Sequence, residues 1–199
     1  MFFSFDGLDG TGKTTQMNLF LEWLRSRGRD VVQCIDPGST PLGEQIRSIL
    51  LGHELPICRT SEMLLFMAAR AQLVDQVIRP ALDAGQIVVS DRYVLANIVY
   101  QAYAGGLEVE TVRAIGETAT SGLMPDLVFV LDLDPQAAAA RMQRDLDRME
   151  SRGLEFQARL RAGFLAEAAR DPQRVLVVDA GREIDTVQAE IRAAADRLL

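Results

Sequence analysis

The stretch FFSFDGLDGTGKTT, residues 2–15, joins an apolar run to a glycine-rich loop and to the start of a helical pattern. Its residues Gly7 to Thr14 match GxxxxGK[ST] in full, and a strand before and a helix after are the setting that this motif requires. Glycines let successive backbone N–H groups turn inward around phosphate oxygens, and the following helix adds its positive end. Residues 7–14 are therefore predicted to form a phosphate-binding loop between a strand and a helix.

Lys13 is the only lysine in the chain, and the other 20 of its 21 lysines and arginines are arginine. A loop wrapped around phosphates needs a compact ammonium group on a flexible stem, whereas a guanidinium group is a broad planar fork. In this motif the lysine reaches the β- and γ-phosphates, and the hydroxyl that follows binds Mg²⁺. We therefore expect a nucleoside triphosphate with Mg²⁺, held by Lys13 and Thr14.

Five short apolar runs alternate with helical patterns along the chain. Continuous runs rich in Val, Ile, Leu and Phe are typical of strands covered on both faces, and helices between them imply right-handed crossovers in a parallel sheet. The predicted strands are Phe2–Phe5, Val31–Ile35, Ile87–Val89, Leu127–Leu131 and Val175–Val178. The predicted helices are Lys13–Ser26, Pro41–Leu51, Ser61–Ala84 (capped by Ser61), Val94–Ala104, Glu108–Thr118, Pro135–Asp145, Glu155–Arg170 and Ile184–Leu198. The pattern predicts one domain over residues 1–199, a three-layer α/β P-loop NTPase fold with five parallel strands.

Charge and composition exclude several classes of function. The net charge of −7 argues against non-specific binding to nucleic acids or to anionic membranes, because the average field repels polyanions. No apolar run approaches the length of a membrane span, and the amino terminus lacks the pattern of a signal peptide. Cys34 and Cys58 have no metal-ligand spacing. We expect a cytoplasmic protein that binds neither nucleic acid nor membrane.

A second group of polar residues follows the third predicted strand, in SDRYVLANIVYQ. Asp91 and Arg92 come just after that strand, where open α/β sheets place their ligands, and Arg92 could fork onto a phosphate. Asn97, Tyr100 and Gln101 are spaced so that they can share one side of a helix. The alternative is a capping aspartate and a surface arginine.

Residues 141–152, RMQRDLDRMESR, carry arginines at spacings of three, four and four. On one helix these residues, Arg141, Arg144, Arg148 and Arg152, would form a basic stripe. The stripe is either a solvated face neutralised by interleaved acids, or an arginine-rich lid that closes over transferring phosphates.

The phosphate loop by itself leaves the acceptor open among water, a hydroxyl and a phosphate, and also fits nucleotide-binding switches. A hydroxyl acceptor calls for a carboxylate base and water for an orienting residue. A monophosphate has a second pKa of about 6, so it is mostly dianionic near neutrality and needs no base. It needs cations that screen two polyanions from each other, and Lys13, Arg47, Arg92 and the lid arginines match that need. Another nucleoside or nucleotide kinase with this core remains the nearest alternative.

The segment MLLFMAARAQLVDQVI, residues 63–78, is apolar on more than one face. Such a helix either buries a second face in a partner or crosses the core. We expect a homodimer interface here, and a wholly internal helix is the alternative.

Seven motifs, taken in order, resemble the bacterial thymidylate kinase family nearly from end to end. They are FDGLDGTGKTT, DPGSTPLGEQIR, LLFMAARAQLV, SDRYVLANIVYQ, MPDLVFVLDLDP, DLDRMESRGLEF and VLVVDA. The resemblance implies a homodimeric enzyme that uses ATP and Mg²⁺ to convert dTMP to dTDP. It implies catalytic roles for Asp9, Lys13, Arg92 and Arg148, and a Mg²⁺ site at Thr14, with Asp9 or Asp91 acting through water.

The resemblance also implies two sets of binding residues. ATP is expected to contact Gly7, Leu8, Asp9, Gly10, Thr11, Gly12, Lys13, Thr14, Thr15 and Arg141. For dTMP the expected residues are Asp36, Arg47, Phe66, Arg70, Arg92, Asn97, Tyr100 and Gln101. Phe66 is expected to stack on thymine and Tyr100 to press against the 2′ carbon, although by pattern alone both are equally typical of core aromatics. Arg70 and Gln101 are expected to bind the polar edge of the base.

Overall fold

The computed structural model describes residues 1–52, 55–142 and 152–199. Its centre is a five-stranded sheet in the order β2-β3-β1-β4-β5, and each neighbouring pair is parallel. The strands are β1 (Phe2–Gly7), β2 (Val31–Ile35), β3 (Ile87–Asp91), β4 (Leu127–Asp132) and β5 (Val175–Asp179). All five predicted strands are confirmed, and four of them extend one or two residues further because a neighbouring strand still provides backbone partners, as Leu131 does for Gly7.

Helices cover both faces of the sheet, which confirms the predicted three-layer α/β class. In chain order they are α1 (Lys13–Ser26), α2 (Pro41–Leu51), α3 (Arg59–Leu73), α4 (Arg79–Asp83), α5 (Val94–Asn97), α6 (Val109–Thr120), α7 (Pro135–Arg141), α8 (Leu154–Arg170) and α9 (Ile184–Ala195). Two π-helical segments, Val74–Ile78 and Ile98–Tyr103, follow α3 and α5.

The alternation of side chains along β1 divides the core into two parts. Phe3 and Phe5 point to the face covered by α1 and α9, where Phe20 packs edge-on against Phe3 with ring centroids 5.3 Å apart. The other face carries Phe2 and the polar residues Ser4 and Asp6, beneath α5, α6 and α8. The phosphate loop leaves the sheet at the end of β1 and is therefore anchored by buried structure on both sides.

The predicted helix Ser61–Ala84 is interrupted and begins earlier than expected. Helix α3 starts at Arg59, so the prediction that Ser61 caps it is wrong: Cys58 is the N-cap, and its Sγ donates to the Ser61 hydroxyl at 3.2 Å. The π-helical turn lies just before Pro80, which has no N–H and whose ring would clash with the carbonyl of the residue four positions earlier. The wider turn relieves that clash without ending the helical path.

The predicted helix Pro135–Asp145 is also wrong at its end. Helix α7 stops at Arg141, because Met142 is extended, with φ −83° and ψ 121°. The helix that carries Arg141 therefore does not continue into the expected basic stripe. Arg144 and Arg148, together with most of the expected lid, lie outside the described residues.

Candidate active site

A cavity of about 1040 Å³ opens at the carboxyl ends of the strands, the edge where parallel sheets bind ligands. Its volume is at the upper end of the usual range for small-molecule sites, about 300–1,000 Å³. One part is lined by the loop and the residues that follow it, namely Asp9, Gly10, Thr11, Gly12, Lys13, Thr14 and Thr15, and by Arg141. The other part is lined by Asp36, Arg47, Phe66, Arg70, Asp91, Arg92, Asn97, Tyr100 and Gln101. Gly7 and Leu8 do not line the cavity, but the other predicted binding residues of both sets meet in it.

The loop conformation requires glycine at two positions above all. Gly7 and Gly10 have φ of 127° and 82°, values that side chains rarely tolerate. A Cβ atom at Gly10 would lie 2.1 Å from the Ala138 carbonyl oxygen, and one at Gly7 would lie 2.4 Å from that of Leu131. The loop therefore packs directly against α7 and β4, so its shape is set by backbone contacts.

Lys13 lies in the first turn of α1 and folds back over the loop. Its Nζ donates to the Leu8 carbonyl at 2.7 Å and to the Gly7 carbonyl at 3.2 Å, and it lies 3.4 Å from Asp9 Oδ1. Burial and the neighbouring charge of Arg92 lower the pKa of Lys13, while Asp9 opposes the change. An anionic ligand in the loop would favour the charged ammonium.

Arg92 extends from the end of β3 to two of the oxygens that Lys13 contacts, the Gly7 carbonyl oxygen and Asp9 Oδ1. Its Nη1 donates to the Gly7 carbonyl at 3.0 Å and its Nη2 to Asp9 Oδ1 at 2.5 Å. The backbone of Arg92 has φ 66°, which is uncommon for a residue other than glycine, and the Ser90 hydroxyl donates to its carbonyl at 2.7 Å. The guanidinium also lies 5.1 Å from the centroid of the Tyr100 ring.

Asp9 connects these groups. Burial raises the pKa of its carboxyl, but the charges of Arg92 and Lys13 outweigh that effect and hold the pKa below its ordinary value. The Tyr100 hydroxyl donates to the other carboxylate oxygen at 3.3 Å, and burial raises the pKa of that phenol. Asp9 is therefore an anion between two cations, and Tyr100 stays protonated as a donor.

The part of the cavity lined by Asp36 and Arg70 is built around a buried ion pair. Arg70 Nε donates to Asp36 Oδ2 at 2.5 Å, and the two side chains are 1% and 0% exposed. Burial raises the pKa of Asp36, and the charge of Arg70 opposes that rise. Arg70 also donates to the Tyr93 carbonyl at 3.3 Å and to the Met67 sulfur at 3.1 Å. The pair ties α3 to the segment after β2, so Asp36 acts on Arg70 directly.

Phe66 and Arg47 lie at the other side of this part of the cavity. Phe66 is half-buried and packs against a small cluster of apolar residues on α2 and α3 that includes Ile46 and Leu50. Arg47 Nη1 donates to the Pro37 carbonyl at 2.8 Å. The aromatic ring and the guanidinium therefore lie on neighbouring helices and line the same cavity.

The sequence interpretation missed the contribution of the segment after β5. Ala180, Gly181 and Arg182 line the cavity beside the phosphate loop, and Arg141 Nη1 donates to the Ala180 carbonyl at 3.1 Å. The available signal was the position of these residues just past the carboxyl end of a predicted parallel strand. Arg141 also lines this cavity, and its predicted contact with ATP stays a prediction.

Asp6 is a second feature whose environment the sequence did not reveal. Its side chain is fully buried in β1, and neither carboxylate oxygen has a hydrogen-bond partner among the described residues. Burial raises its pKa from 3.8 to about 7, against the opposing charges of Arg92 and Lys13. Asp6 therefore carries a proton in much of the population near neutrality.

Within the described residues, no helix is long and apolar enough to cross a membrane.

A family model described as thymidylate kinase matches residues 5–191. Thymidylate kinases from an Exiguobacterium species and from Symbiobacterium thermophilum are each 44% identical to this chain. The first match covers 96% of this chain and 92% of the relative, and the second covers 100% and 94%. A crystal structure of thymidylate kinase from Ehrlichia chaffeensis matches with a TM-score of 0.81 at 30% identity, over 98% of both chains. With a family model over residues 5–191 and relatives of 44% identity along nearly the whole chain, the chain belongs to the thymidylate kinase family.

Proposed function

We propose that the two parts of the cavity bind the two substrates of this kinase, ATP on the loop side and dTMP on the side of Arg70, with their phosphates meeting between Lys13 and Arg92. One observation carries the proposal. Lys13 lies in the first turn of α1 and Arg92 follows β3, yet both lie within hydrogen-bonding distance of the Gly7 carbonyl and of Asp9 Oδ1. A phosphate placed at that point would contact both cations at once.

The reaction transfers the γ-phosphoryl group of ATP to the phosphate of dTMP, which gives dTDP. Since the acceptor is mostly dianionic near neutrality, no residue has to remove a proton from it. The barrier lies in bringing two polyanions together and in stabilising charge on the transferring group. Lys13 and Arg92 supply that stabilisation when incoming phosphate oxygens replace the Gly7 carbonyl as their acceptor, and Asp9 keeps both cations in position.

On the dTMP side, Arg92 and Arg47 hold the phosphate and Phe66 stacks on the base. Arg70, Asn97 and Gln101 bind the polar edge of the base. Asp36 fixes Arg70 through the buried ion pair. The Tyr100 ring is held by Asp9 and by edge contacts with Phe156 and Phe164. Its role in this proposal is to disfavour a ribose 2′-hydroxyl by its bulk.

On the ATP side, the N–H groups of residues 7–15 surround the phosphates at the start of α1. Arg141 contributes from the end of α7, and Arg148 belongs to the proposed lid, outside the described residues. Thr14, Asp9 and Asp91 all line the cavity, so a hydroxyl and one or two carboxylates fit the needs of Mg²⁺, which completes its shell with water and substrate phosphates. The bound ion would neutralise charge on the β- and γ-phosphates.

Two further proposals concern the whole protein. We expect a cytoplasmic homodimer that associates through α3, where Leu64 is 49% exposed although Met67 and Arg70 of the same helix are buried. Size-exclusion chromatography with light scattering measures the assembly. A monomer at micromolar concentration would contradict the dimer without affecting the assignment of the cavity.

The substrate assignment is tested by coupled ADP release with dTMP, dUMP, dCMP, dGMP and AMP as acceptors. We expect preference for dTMP, and no turnover of thymidine, because a free hydroxyl would require a base. The Lys13→Met variant controls for contaminating kinases. Equal rates with all monophosphates, or faster phosphorylation of thymidine than of dTMP, would overturn the substrate assignment.

A further inference from the structure

Glu62 is a buried carboxylate beside the base-binding part of the cavity, although it has no place in the roles described above. It lies in the first turn of α3 and is 2% exposed. Its Oε2 accepts from Arg152 Nη2 at 2.6 Å, in an ion pair with the first described residue after the gap at 143–151. Its Oε1 accepts from Gln101 Nε2 at 3.1 Å.

These contacts continue into a chain of side-chain amides. Gln101 Oε1 in turn accepts from Asn97 Nδ2 at 2.7 Å, and both amides are 2% exposed. Asn97 Oδ1 has no partner among the described residues. In this chain of hydrogen bonds, the Asn97 amide therefore donates to Gln101, and the Gln101 amide donates to the Glu62 carboxylate.

The chemistry of the carboxylate fixes this direction. An ionised carboxylate only accepts hydrogen bonds, whereas an amide can present either its oxygen or its nitrogen. Gln101 must therefore turn its nitrogen toward Glu62, which leaves its oxygen for Asn97, and Asn97 must then turn its nitrogen toward Gln101. A buried amide pair without such an anchor could reverse both groups together and keep its internal hydrogen bond.

From this arrangement we infer that Glu62 is a positioning residue that sets the base specificity of the kinase by fixing the orientation of Gln101 and Asn97. The inference rests on the proposed binding of the base edge by those two amides. Thymine presents a carbonyl at position 4 and an N–H at position 3, whereas cytosine presents an amino group and an unprotonated nitrogen at the same positions. A single amide orientation can satisfy only one of these opposite patterns, and a reversible pair can satisfy either.

The test compares kcat/KM for dTMP, dUMP and dCMP in wild type and in Glu62→Gln. The substituted glutamine side chain has nearly the same shape as glutamate but can donate as well as accept, so the amide pair can reverse. We expect the ratio of kcat/KM for dTMP to kcat/KM for dCMP to fall by about 10-fold. This is the discrimination that one hydrogen bond supplies when its donor and acceptor are fixed. The ratio of dTMP to dUMP should stay unchanged, because uracil presents the same edge as thymine.

Two further variants separate orientation from general loosening. Glu167→Gln is the matched control: Glu167 is 4% exposed and accepts from Arg113 at 2.9 Å and from Tyr103 at 2.9 Å, away from both amides. It should lower stability without changing either ratio. Glu62→Asp keeps an accept-only carboxylate, so it should preserve the dTMP to dCMP ratio even where affinity falls, and it stands alone as the test if Glu62→Gln does not fold.

The inference is overturned if Glu62→Gln lowers kcat/KM for dTMP and dCMP equally, if Glu167→Gln shifts the ratio as much, or if Glu62→Asp loses discrimination. These outcomes would make Glu62 a structural residue only. They would leave the proposed function intact, because that proposal fails on a different result, the absence of dTMP preference in the wild-type enzyme.

Discussion

Replacing Asp6 by asparagine should change how the stability of this protein depends on pH. The buried carboxyl has a pKa of about 7 in the folded chain against 3.8 as its ordinary value. Between these two values the folded state holds a proton that the unfolded state has released. The free energy of unfolding contributed by Asp6 is therefore fully present below about pH 4, falls as pH rises, and levels off above about pH 7.

The size of the effect follows from the shift. Each pKa unit corresponds to about 1.4 kcal/mol, so a shift of roughly three units costs the wild-type protein about 4 kcal/mol between about pH 4 and pH 8. The slope is about 1.4 kcal/mol per pH unit in the middle of that range. Since domains are usually stable by about 5–15 kcal/mol, the loss is readily measured. Asparagine resembles the protonated acid and does not titrate.

The assay is urea unfolding of wild type and Asp6→Asn at pH 5, 6, 7 and 8. Other titrating groups, including the single histidine of the sequence, are shared by the two proteins, so their contributions cancel in the difference. We expect wild type to lose about 2 kcal/mol relative to the variant from pH 5 to pH 7, because the slope falls as pH approaches the folded-state pKa. A difference that is constant over the whole range would refute the reasoning, whatever its absolute value, because a fixed offset reflects only the packing of the new amide.

Substitutions at Lys13, Tyr100 and Arg70 also test the site. Lys13→Met and Lys13→Arg should each lower kcat by about 10²–10³-fold with unchanged thermal unfolding, because neither side chain restores an ammonium to the loop; a near wild-type rate for the arginine variant would contradict our explanation of the lysine. Tyr100→Phe should keep its preference for deoxyribose, since the ring supplies the bulk, and equal turnover of dTMP and its ribose counterpart would count against steric exclusion. Arg70→Met should cost about 3–5 kcal/mol in urea unfolding by leaving Asp36 unpaired, and adding Asp36→Asn should recover part of that loss; an additive double mutant would mean that the pair is not coupled.

The sheet could be predicted from the sequence because its signals are local. Parallel strands buried on both faces must be apolar throughout, so short runs of Val, Ile, Leu and Phe identify them wherever the order in the sheet places them. Only the strand ends differed. Asp91 belongs to β3, and Asp132 pairs with Asp179, since backbone pairing continues past the last apolar side chain. A pattern of side chains does not detect such backbone partners.

Helix ends and helix width were harder to predict for the same reason. Ser61 was predicted to cap its helix, yet Arg59 and Thr60 are already helical. The first N–H groups of the helix, which have no partner within it, therefore lie earlier than the side-chain pattern suggests. The widened turn before Pro80 depends on backbone geometry over several residues. Arg141 ends its helix although the following residues kept a helical spacing of arginines. Periodicity reports which face a residue would occupy and carries little information on where a helix stops.

The candidate site was predicted as two lists of residues, and the contacts among those residues could not be predicted. The ion pair of Arg70 with Asp36 and the contact of Arg92 with Asp9 join residues far apart in sequence. Glu62 gave no signal of its own, because an acid in the first turn of a helix is usually explained by the helix dipole. Its importance comes from Gln101, and that contact exists only once α3 packs against the segment after α5.

The electrostatic logic of the site depends on these unpredicted contacts. A chain with net charge −7 must still admit two polyanions, and in the described part of the site Lys13 and Arg92 converge on one carbonyl and one carboxylate. If Asp6 were ionised, a second negative charge would lie behind the same pair and would cancel more of the field that phosphates require. Because burial keeps Asp6 mostly protonated below about pH 7, Asp9 can hold both cations in place there while they retain a positive excess. The strained backbone of Arg92, which costs about 1–3 kcal/mol, is then offset by an ion pair that also prepares the site for its substrates.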